Sequence, residues 1–557
     1  MYSAIDTLWM IFAIVLIFTM QAGFTMLETG LTRSRNSANI AMKNLLDFAA
    51  GTLAFWLAGF GILYGASHGG WIGSLDLFSR GSYGAQYPGT AFIAFQMMFC
   101  ATSATIVSGA MAERTKFKAY LIYSILISAL VYPISGHWIW NADGWLNQLG
   151  FHDLAGSTAV HLVGGTAALV GARMLGPRLG KYNPDGSSNA IPGRSQSLCV
   201  LGLFLLWIGW YGFNAGSTLT LEGDAAVETA ADIILNTTLC AATSCVTGML
   251  LSWRRYGKPD PSITFDSALG GLVAITAGAD QVQTGGAVCI GLIAGFAVVF
   301  SIEFVDLKLK IDDPAGAISV HGVCGALGTI LTGVFSTSSG LLYTGSFRFL
   351  GVQILGVAVT FCWVAVAMLL IFGILKHTIG LRVSEAEEIA GLDVSEHGLR
   401  VNESSLTATD VSAVPSPTHL VQQLDLQDFD PETAPAQYRT ADGKIHKVVV
   451  VMNQDRLAAL LPALDKIGVT GMTVTSVSGC GIQKGHTEFY RGSCLNTQLL
   501  PKIKVEIVIS TVPLLLLVDT IKKSIYTGNI GDGKIFIYEL ENVIKVRTGA
   551  EGTEALE

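Results

Sequence analysis

Apolar residues fill the first two thirds of the chain in runs of about 20, the length that crosses the roughly 30 Å hydrocarbon slab of a bilayer, and the pattern stops near Lys376. Eleven runs are centred near Val15, Leu53, Cys100, Ile127, Thr166, Leu206, Cys240, Leu272, Ala294, Leu327 and Val364. The eighth is the weakest, with Asp266 and Asp280 near its ends. Basic residues cluster after the odd-numbered runs: Arg33 and Arg35, then Arg114 and Lys116, Arg173 and Arg178, Arg254 and Arg255, Lys308 and Lys310, Lys376 and Arg382. The loops after even-numbered runs hold chiefly Arg80 and Arg348. The excess of positive charge places the odd loops in the cytoplasm, the N-terminus outside and the long C-terminal tail inside. No basic segment or small-residue cleavage site accompanies the first run, which predicts a span and not a signal peptide.

Beyond the last run the pattern changes. Residues 400–442 are rich in Ser, Thr, Pro and Asp without helical or strand period, and predict a flexible linker. Strand patterns follow at 447–452, 471–477, 504–510 and 534–538, and helical patterns at 454–467 and 512–526. Their order is βαββαβ, that of a ferredoxin-like domain. A loop at 478–502 separates the middle strands, and a loop of that length is usually functional.

Composition agrees with a membrane domain joined to a soluble one. Hydrophobic residues make up 51% and charged residues 14%, where soluble proteins carry about a quarter charged. The 63 glycines fit membrane helices that approach closely. The 9 cysteines include no CxxC pair, so neither a disulfide framework nor a zinc site is expected. The net charge of −8 owes much to acidic residues after Val383, and no basic cluster suggests nucleic acid.

Two segments echo each other: Asp153-Leu-Ala-Gly-Ser-Thr-Ala-Val-His161 and Asp313-Pro-Ala-Gly-Ala-Ile-Ser-Val-His321. They open the fifth and tenth runs, an odd offset, so the two helices cross in opposite directions. That is the mark of an inverted repeat, runs 1–5 matching runs 6–10. Each Asp stands where a helix N-cap belongs. Each His lies eight residues further in, about 12 Å along a helix rising about 1.5 Å per residue, so both stop near the bilayer midplane from opposite sides. An ionisable residue at that depth is costly and usually functional. Two neutral imidazoles can relay a proton or accept a hydrogen bond from a small polar molecule; the plainer alternative is a pair that merely ties two helices together.

These motifs resemble those of the ammonium transporter (Amt/Mep/Rh) family over roughly residues 5–398. The resemblance rests on the run from Gly23 to Gly30, the Gly109–Arg114 segment, Gly209-Trp210-Tyr211-Gly212-Phe213-Asn214-Ala215-Gly216-Ser217, the Asp313–His321 segment and the tail Gly391–Gly398. It implies a homotrimer in membrane lipid with one pore per subunit, and His161 and His321 as a twin-histidine pore. By the same resemblance Trp140 and Ser217 form an outer recruitment site, Phe99 and Phe213 a stacked gate, and Asp153 the acid beneath. Ammonium would be recruited as a cation and deprotonated under the gate, because charge in hydrocarbon costs far more than neutral ammonia. Asp266-Ser267 departs from the family pattern, which often has Asn-Gly there, and Leu399-Arg400-Val401 departs from the usual tail ending.

Residues 443–550 resemble P-II (GlnB/GlnK-like) signalling proteins. The motifs are Gly471-Met472-Thr473-Val474-Thr475, the run Gln483–Gly492, and Thr527-Gly528-Asn529-Ile530-Gly531-Asp532-Gly533-Lys534. Glycine-rich backbone of the last kind can wrap a phosphate, with Lys534 adding charge. The resemblance implies that Thr473, Gly531, Gly533, Lys534, Lys545 and Arg547 contact an adenine nucleotide between subunits, and that Gln483 and Lys502 serve 2-oxoglutarate and its magnesium. Ile482 and Lys545 replace arginines that contact phosphate, and Leu495 replaces a modifiable Tyr. These departures weaken 2-oxoglutarate sensing and favour ADP or AMP over ATP, since Ile cannot pair with phosphate.

The expected fold is thus a polytopic all-α membrane protein, with eleven transmembrane helices in an inverted 5+5 repeat, plus a C-terminal α+β ferredoxin-like P-II domain. The expected domains are 1–398 (membrane domain and tail), 399–442 (linker) and 443–557 (regulatory domain). The expected function is ammonium or ammonia transport across a bacterial inner membrane. A regulatory nucleotide (ADP, AMP or ATP, magnesium accompanying ATP) would control it, none being tightly bound. The long loop, with Arg491 as plug, would close the cytoplasmic pore mouth. The alternative is an ammonium sensor that signals through the P-II domain with little flux. No nucleophile–base pair or metal cluster points to an enzyme.

Overall fold

The computed structural model describes residues 1–84, 86–399, 444–479, 487–490, 493–496, 500–528 and 532–556. It divides into two units, Met1–Arg400 and Val401–Glu557. The 399–442 linker falls almost wholly outside the described residues.

Among the described residues of the first unit ten helices are long and apolar enough to cross a membrane: α1 Ala4–Leu31, α2 Ser34–Tyr64, α3 Gly89–Met111, α4 Phe117–Gln148, α5 Ser157–Leu175, α6 Gln196–Thr218, α7 Asp224–Tyr256, α9 Thr284–Lys308, α10 Ile318–Phe335 and α11 Phe347–Thr378. The eighth run forms a shorter helix, α8 Pro261–Ile275, of 15 residues, about 22 Å long. Asp266 lies inside α8 and not at its end, and every residue from Asp266 to Ile275 is buried. Protein surrounds this helix, so a lipid slab does not dictate its length. Starts are marked by side chains that satisfy free N–H groups: Ser3 for α1, Ser195 for α6, Asp260 with Pro261 for α8 and Ser346 for α11. Long apolar side chains on α7, α9 and α11 stay exposed, among them Leu250, Phe300 and Leu370; a surface of that extent needs lipid or another subunit against it.

Glycine decides where helices meet. At Gly165 of α5 an added Cβ would stand 2.1 Å from the backbone nitrogen of Gly322 on α10, and at Gly325 it would stand 2.5 Å from the carbonyl of Ser157. The two backbones are in contact, which no larger residue permits.

At the face carrying the loops after α1, α3 and α5, buried charges bind those loops together. Glu113 accepts from the Arg33 guanidinium and, at 2.9 Å, from Arg178 Nη1. Arg178 in turn grips Asp312 through Nε at 2.8 Å and Nη2 at 2.9 Å. Arg114 is fully buried and donates to the carbonyls of Ala112, Gly176 and Asp312. Burial penalises the Glu113 charge, but Arg33 and Arg178 outweigh it and hold the carboxyl at about 2, below the usual 4.5. Two short helices of the tail, α12 Glu385–Ala390 and α13 Leu392–His397, pack on the same face. There Asp393 accepts from the N–H groups of Ala38 and Asn39 at the start of α2, and Glu388 pairs with Arg382 at 2.7 Å.

The second unit is a four-stranded antiparallel sheet. The chain first forms two short membrane-unit strands, β1 Ser67–His68 and β2 Ile72–Gly73; the sheet then uses β3 Ile445–Met452, β4 Met472–Gly479, β7 Leu500–Ile509 and β8 Gly533–Leu540, in the order β4-β7-β3-β8. Helices α14 Leu457–Lys466 and α15 Leu514–Ile525 cover one face. Val448 pairs with both Ile507 and Ile537 across the sheet, and Val448, Val505, Leu460 and Leu517 are fully buried. Lys447 and Glu506, on the other face, form an ion pair at 2.7 Å. The predicted loop at 478–502 is corrected: β4 and β7 extend into it, and between them β5 Thr487–Tyr490 pairs with β6 Ser493–Asn496 as a hairpin. Alternation in a segment of four residues is too short to be told from loop composition.

Gly165→Ala is expected to cost about 1–3 kcal/mol by overpacking, read as a lower thermal midpoint in detergent. Glu113 contributes stability that is complete above pH 4.5 and is lost as pH falls toward about 2. Glu113→Gln should therefore destabilise at neutral pH by about 3–5 kcal/mol, leaving two buried guanidiniums under-compensated, and should flatten the acid limb of a stability–pH curve in that window.

Candidate functional site

The two echoed segments fold alike. Asp153 accepts four backbone N–H bonds, from Gly156, Ser157, Thr158 and Ala159, at 2.8 to 2.9 Å. Asp313 accepts from Ala317 at 3.1 Å and Ile318 at 2.7 Å. Three residues after each Asp stands a glycine of positive φ, Gly156 at 107° and Gly316 at 67°, a conformation that side chains with Cβ rarely adopt. The turns that follow, Ser157–Leu162 and Ile318–Val323, are π-helical. This corrects the α-helical rise assumed from sequence: the histidines sit on widened turns, a feature that recurs at functional sites.

The close crossing at Gly165 and Gly322 brings the histidines together. The Nδ1 atoms of His161 and His321 are 3.2 Å apart, so one ring donates and the other accepts. Their rings lie 5.2 Å apart at 20°. His161 is fully buried, and its Nε2 has no partner among the described residues. An unbroken series of rings leads away from the pair. Phe213 lies 5.5 Å from His161, Phe99 stacks on Phe213 at 4.1 Å and 26°, and Trp140 meets Phe99 edge-on at 5.9 Å. Trp140 donates its Nε1–H to the Asp153 carbonyl at 2.7 Å, which fixes the indole. Ser217 donates its hydroxyl to the Phe213 carbonyl at 2.8 Å and is half-buried beside the same series. The series runs from an indole, whose ring type can attract a cation, through apolar rings to an unpartnered imidazole nitrogen in surroundings that disfavour charge.

Two ring residues had no role assigned from sequence. Trp210 stacks on His161 at 5.1 Å and 13°, its Nε1–H bonded to Thr276 Oγ1 at 2.9 Å. Phe24 lies 6.0 Å from His321 on the far side. Both fall inside motifs already singled out, but a buried aromatic at helical spacing reads first as core.

The family model described as Ammonium Transporter Family matches residues 8–401. The chain belongs to the ammonium transporter family. A second model, Nitrogen regulatory protein P-II, matches residues 445–550. Ammonium transporter Amt2 of Archaeoglobus fulgidus is 45% identical over 417 residues, covering 71% of this chain and 87% of that protein. A putative ammonium transporter of Synechocystis is 42% identical, covering 71% and 88%. Among solved structures, one titled Sensor Amt Protein aligns with a TM-score of 0.67 at 42% identity over 71% of this chain and 98% of its own. Saccharomyces cerevisiae Mep2 aligns with a TM-score of 0.64 at 26% identity over 69% and 89%.

In the P-II domain of this ammonium transporter the expected nucleotide contacts do not converge within one chain. Thr473 is exposed on β4, one edge of the sheet. Gly533, with φ of 138°, and exposed Lys534 begin β8 at the other edge. Three strand spacings of about 4.8 Å separate those edges. Lys545 is half-buried and Arg547 exposed beyond β8. Asp532 closes the glycine-rich loop by accepting from the Thr527 and Gly528 N–H groups. Lys502 donates to Asn453 Oδ1. Gln483, Arg491 and Gly531 lie outside the described residues, as does Ile482.

Asp153→Ala should leave four buried N–H groups without an acceptor, costing at least about 2 kcal/mol and reducing ammonium flux more than tenfold. Asp153→Asn keeps one acceptor oxygen and should retain more of the stability than of the flux, which thermal midpoints and liposome uptake would separate.

Proposed function

We propose that this protein moves ammonium across a bacterial inner membrane by admitting it as a cation and passing it as ammonia along the histidine pair. The observation that carries the reading is the unbroken ring series from Trp140 through Phe99 and Phe213 to His161 and His321. A cation is held at the Trp140 and Ser217 end, loses its proton near Asp153 under the phenyl gate, and meets acceptor nitrogens where charge is least tolerated. In this reading α8 is the eighth span despite its length, because neighbouring helices bury it. The shared Asp-x-x-Gly cap and π turn of α5 and α10 support an inverted repeat. The charge bias of the loops puts the N-terminus outside and the P-II domain in the cytoplasm.

The P-II domain serves as a nucleotide-responsive gate. The edge-to-edge separation of Thr473 and Lys534 supports a nucleotide held between copies, Gly531, Gly533, Lys545 and Arg547 completing the site. Exposed apolar side chains on β8, Phe536, Ile537 and Tyr538, support close packing of those copies in a homotrimer. Tethering raises the effective concentration of the gate at its pore. The loop carrying Arg491 closes the cytoplasmic exit; ADP or AMP is the favoured ligand, and Gln483 and Lys502 are the residues to test for 2-oxoglutarate and magnesium.

A second reading, an ammonium sensor, draws on the similarity to the structure titled Sensor Amt Protein. Ammonium-evoked current in liposomes holding the whole protein, with ADP and then ATP plus 2-oxoglutarate on the cytoplasmic side, separates the two. Self-gated transport predicts a nucleotide-dependent current that His161→Ala abolishes. Ammonium binding without current under any nucleotide would establish the sensor instead.

A further inference from the structure

Asp266 has none of the support its counterparts enjoy. It is 6% exposed, and among the described residues it makes no hydrogen bond and no ion pair; its Oδ1 is buried without a partner. The charged groups that act on it are Asp313 and Asp260, both acidic. Asp313 is already committed to the N–H groups of Ala317 and Ile318, whereas Asp153, at the opposite end of the ring series, accepts four such bonds. The free Oδ2 of Asp266 is aimed at the Gly316 turn, where an added Cβ would stand 2.7 Å from it. The carboxyl therefore packs from α8 against the turn that leads to His321. A buried carboxyl with no cation and no donors takes up a proton, and it holds a charge only where a cation joins it.

The geometry points to an inner binding site for a small monovalent cation, built on the Asp266 carboxylate beside the Asp313–Gly316 turn, with ammonium as its occupant. One free carboxylate suits a monovalent ion; a divalent ion needs several oxygen ligands, and Asp313 is engaged elsewhere. Transport delivers ammonia to this end of the path, where it regains a proton from water to become ammonium, so the choice of occupant rests on the transport reading, while the site itself does not. Where the resemblance leads one to expect Asn, this chain has a carboxyl side chain.

Infrared difference spectra of the full-length protein in liposomes, ammonium chloride against sodium chloride at constant pH and ionic strength, read the carboxyl directly. A carboxyl-to-carboxylate band change is expected in the wild type and in Asp266→Glu, and is expected to vanish in Asp266→Asn. Flux measured from the two sides should show the half-saturating ammonium on the Asp266 side, relative to the other side, rising about tenfold in Asp266→Asn and returning in Asp266→Glu. Identical difference spectra in the wild type and Asp266→Asn would overturn the site whatever the flux. A band that depends on Asp266 in a protein without flux would keep the site and remove the transport reading.

Discussion

The contact on which the membrane unit depends is backbone against backbone, where α5 and α10 cross at Gly165 and Gly322. Two imidazoles can share a hydrogen bond across two helices if the axes come closer than side chains with Cβ allow. In a soluble protein such a pair could be drawn together by burial of apolar surface. In lipid that force is absent between helices, and close packing of small residues takes its place. The features around the pair accompany that approach: the Nδ1 contact, the buried and unpartnered His161 Nε2, and the rings of Trp210 and Phe213 against the same imidazole.

The crossing would not hold without fixed helix starts. Each of the two helices begins in protein, capped by an Asp that reaches over a glycine of positive φ into a π turn. A π turn leaves its backbone groups less regularly paired than an α turn, so it is stable where a carboxylate collects several N–H groups at once. The charges at the loop face act on a larger scale. Glu113, Arg33, Arg178 and Asp312 compensate one another in a buried network, so the loops after α1, α3 and α5 and the approach to α10 are held in one arrangement. The tail helices α12 and α13 engage the same face through Asp393 and Glu388, so any force on the tail is felt near the start of α2 and the end of α5.

Much of this was legible in the sequence, and the failures have physical causes. The Asp-to-His echo located the two caps and both histidines, because capping and burial demand particular residues at particular offsets. The length of α8 was misjudged, since hydropathy registers apolar residues and cannot tell a helix bathed in lipid from one enclosed by protein. Asp266 was placed at a helix end for the same reason. Trp210 and Phe24 gave no separate signal, as an aromatic that lines a path and one that fills a core look alike in one dimension. The β5–β6 hairpin escaped because its strands are four residues each.

Sheet order constrains what the soluble unit can do by itself. In a βαββαβ domain the strand after the first helix and the last strand occupy opposite edges, here β4 and β8. Residues on the two, Thr473 and Lys534, cannot close on one small nucleotide without another copy of the domain supplying the facing edge. A ligand site formed this way would count subunits: it would be complete only when copies sit side by side with the symmetry that brings β4 of one to β8 of the next. Such a heterologous contact makes a ring where its rotation closes and an open filament where it does not. The edge placement of these strands therefore ties any site that uses both Thr473 and Lys534 to the symmetry in which copies of the domain meet.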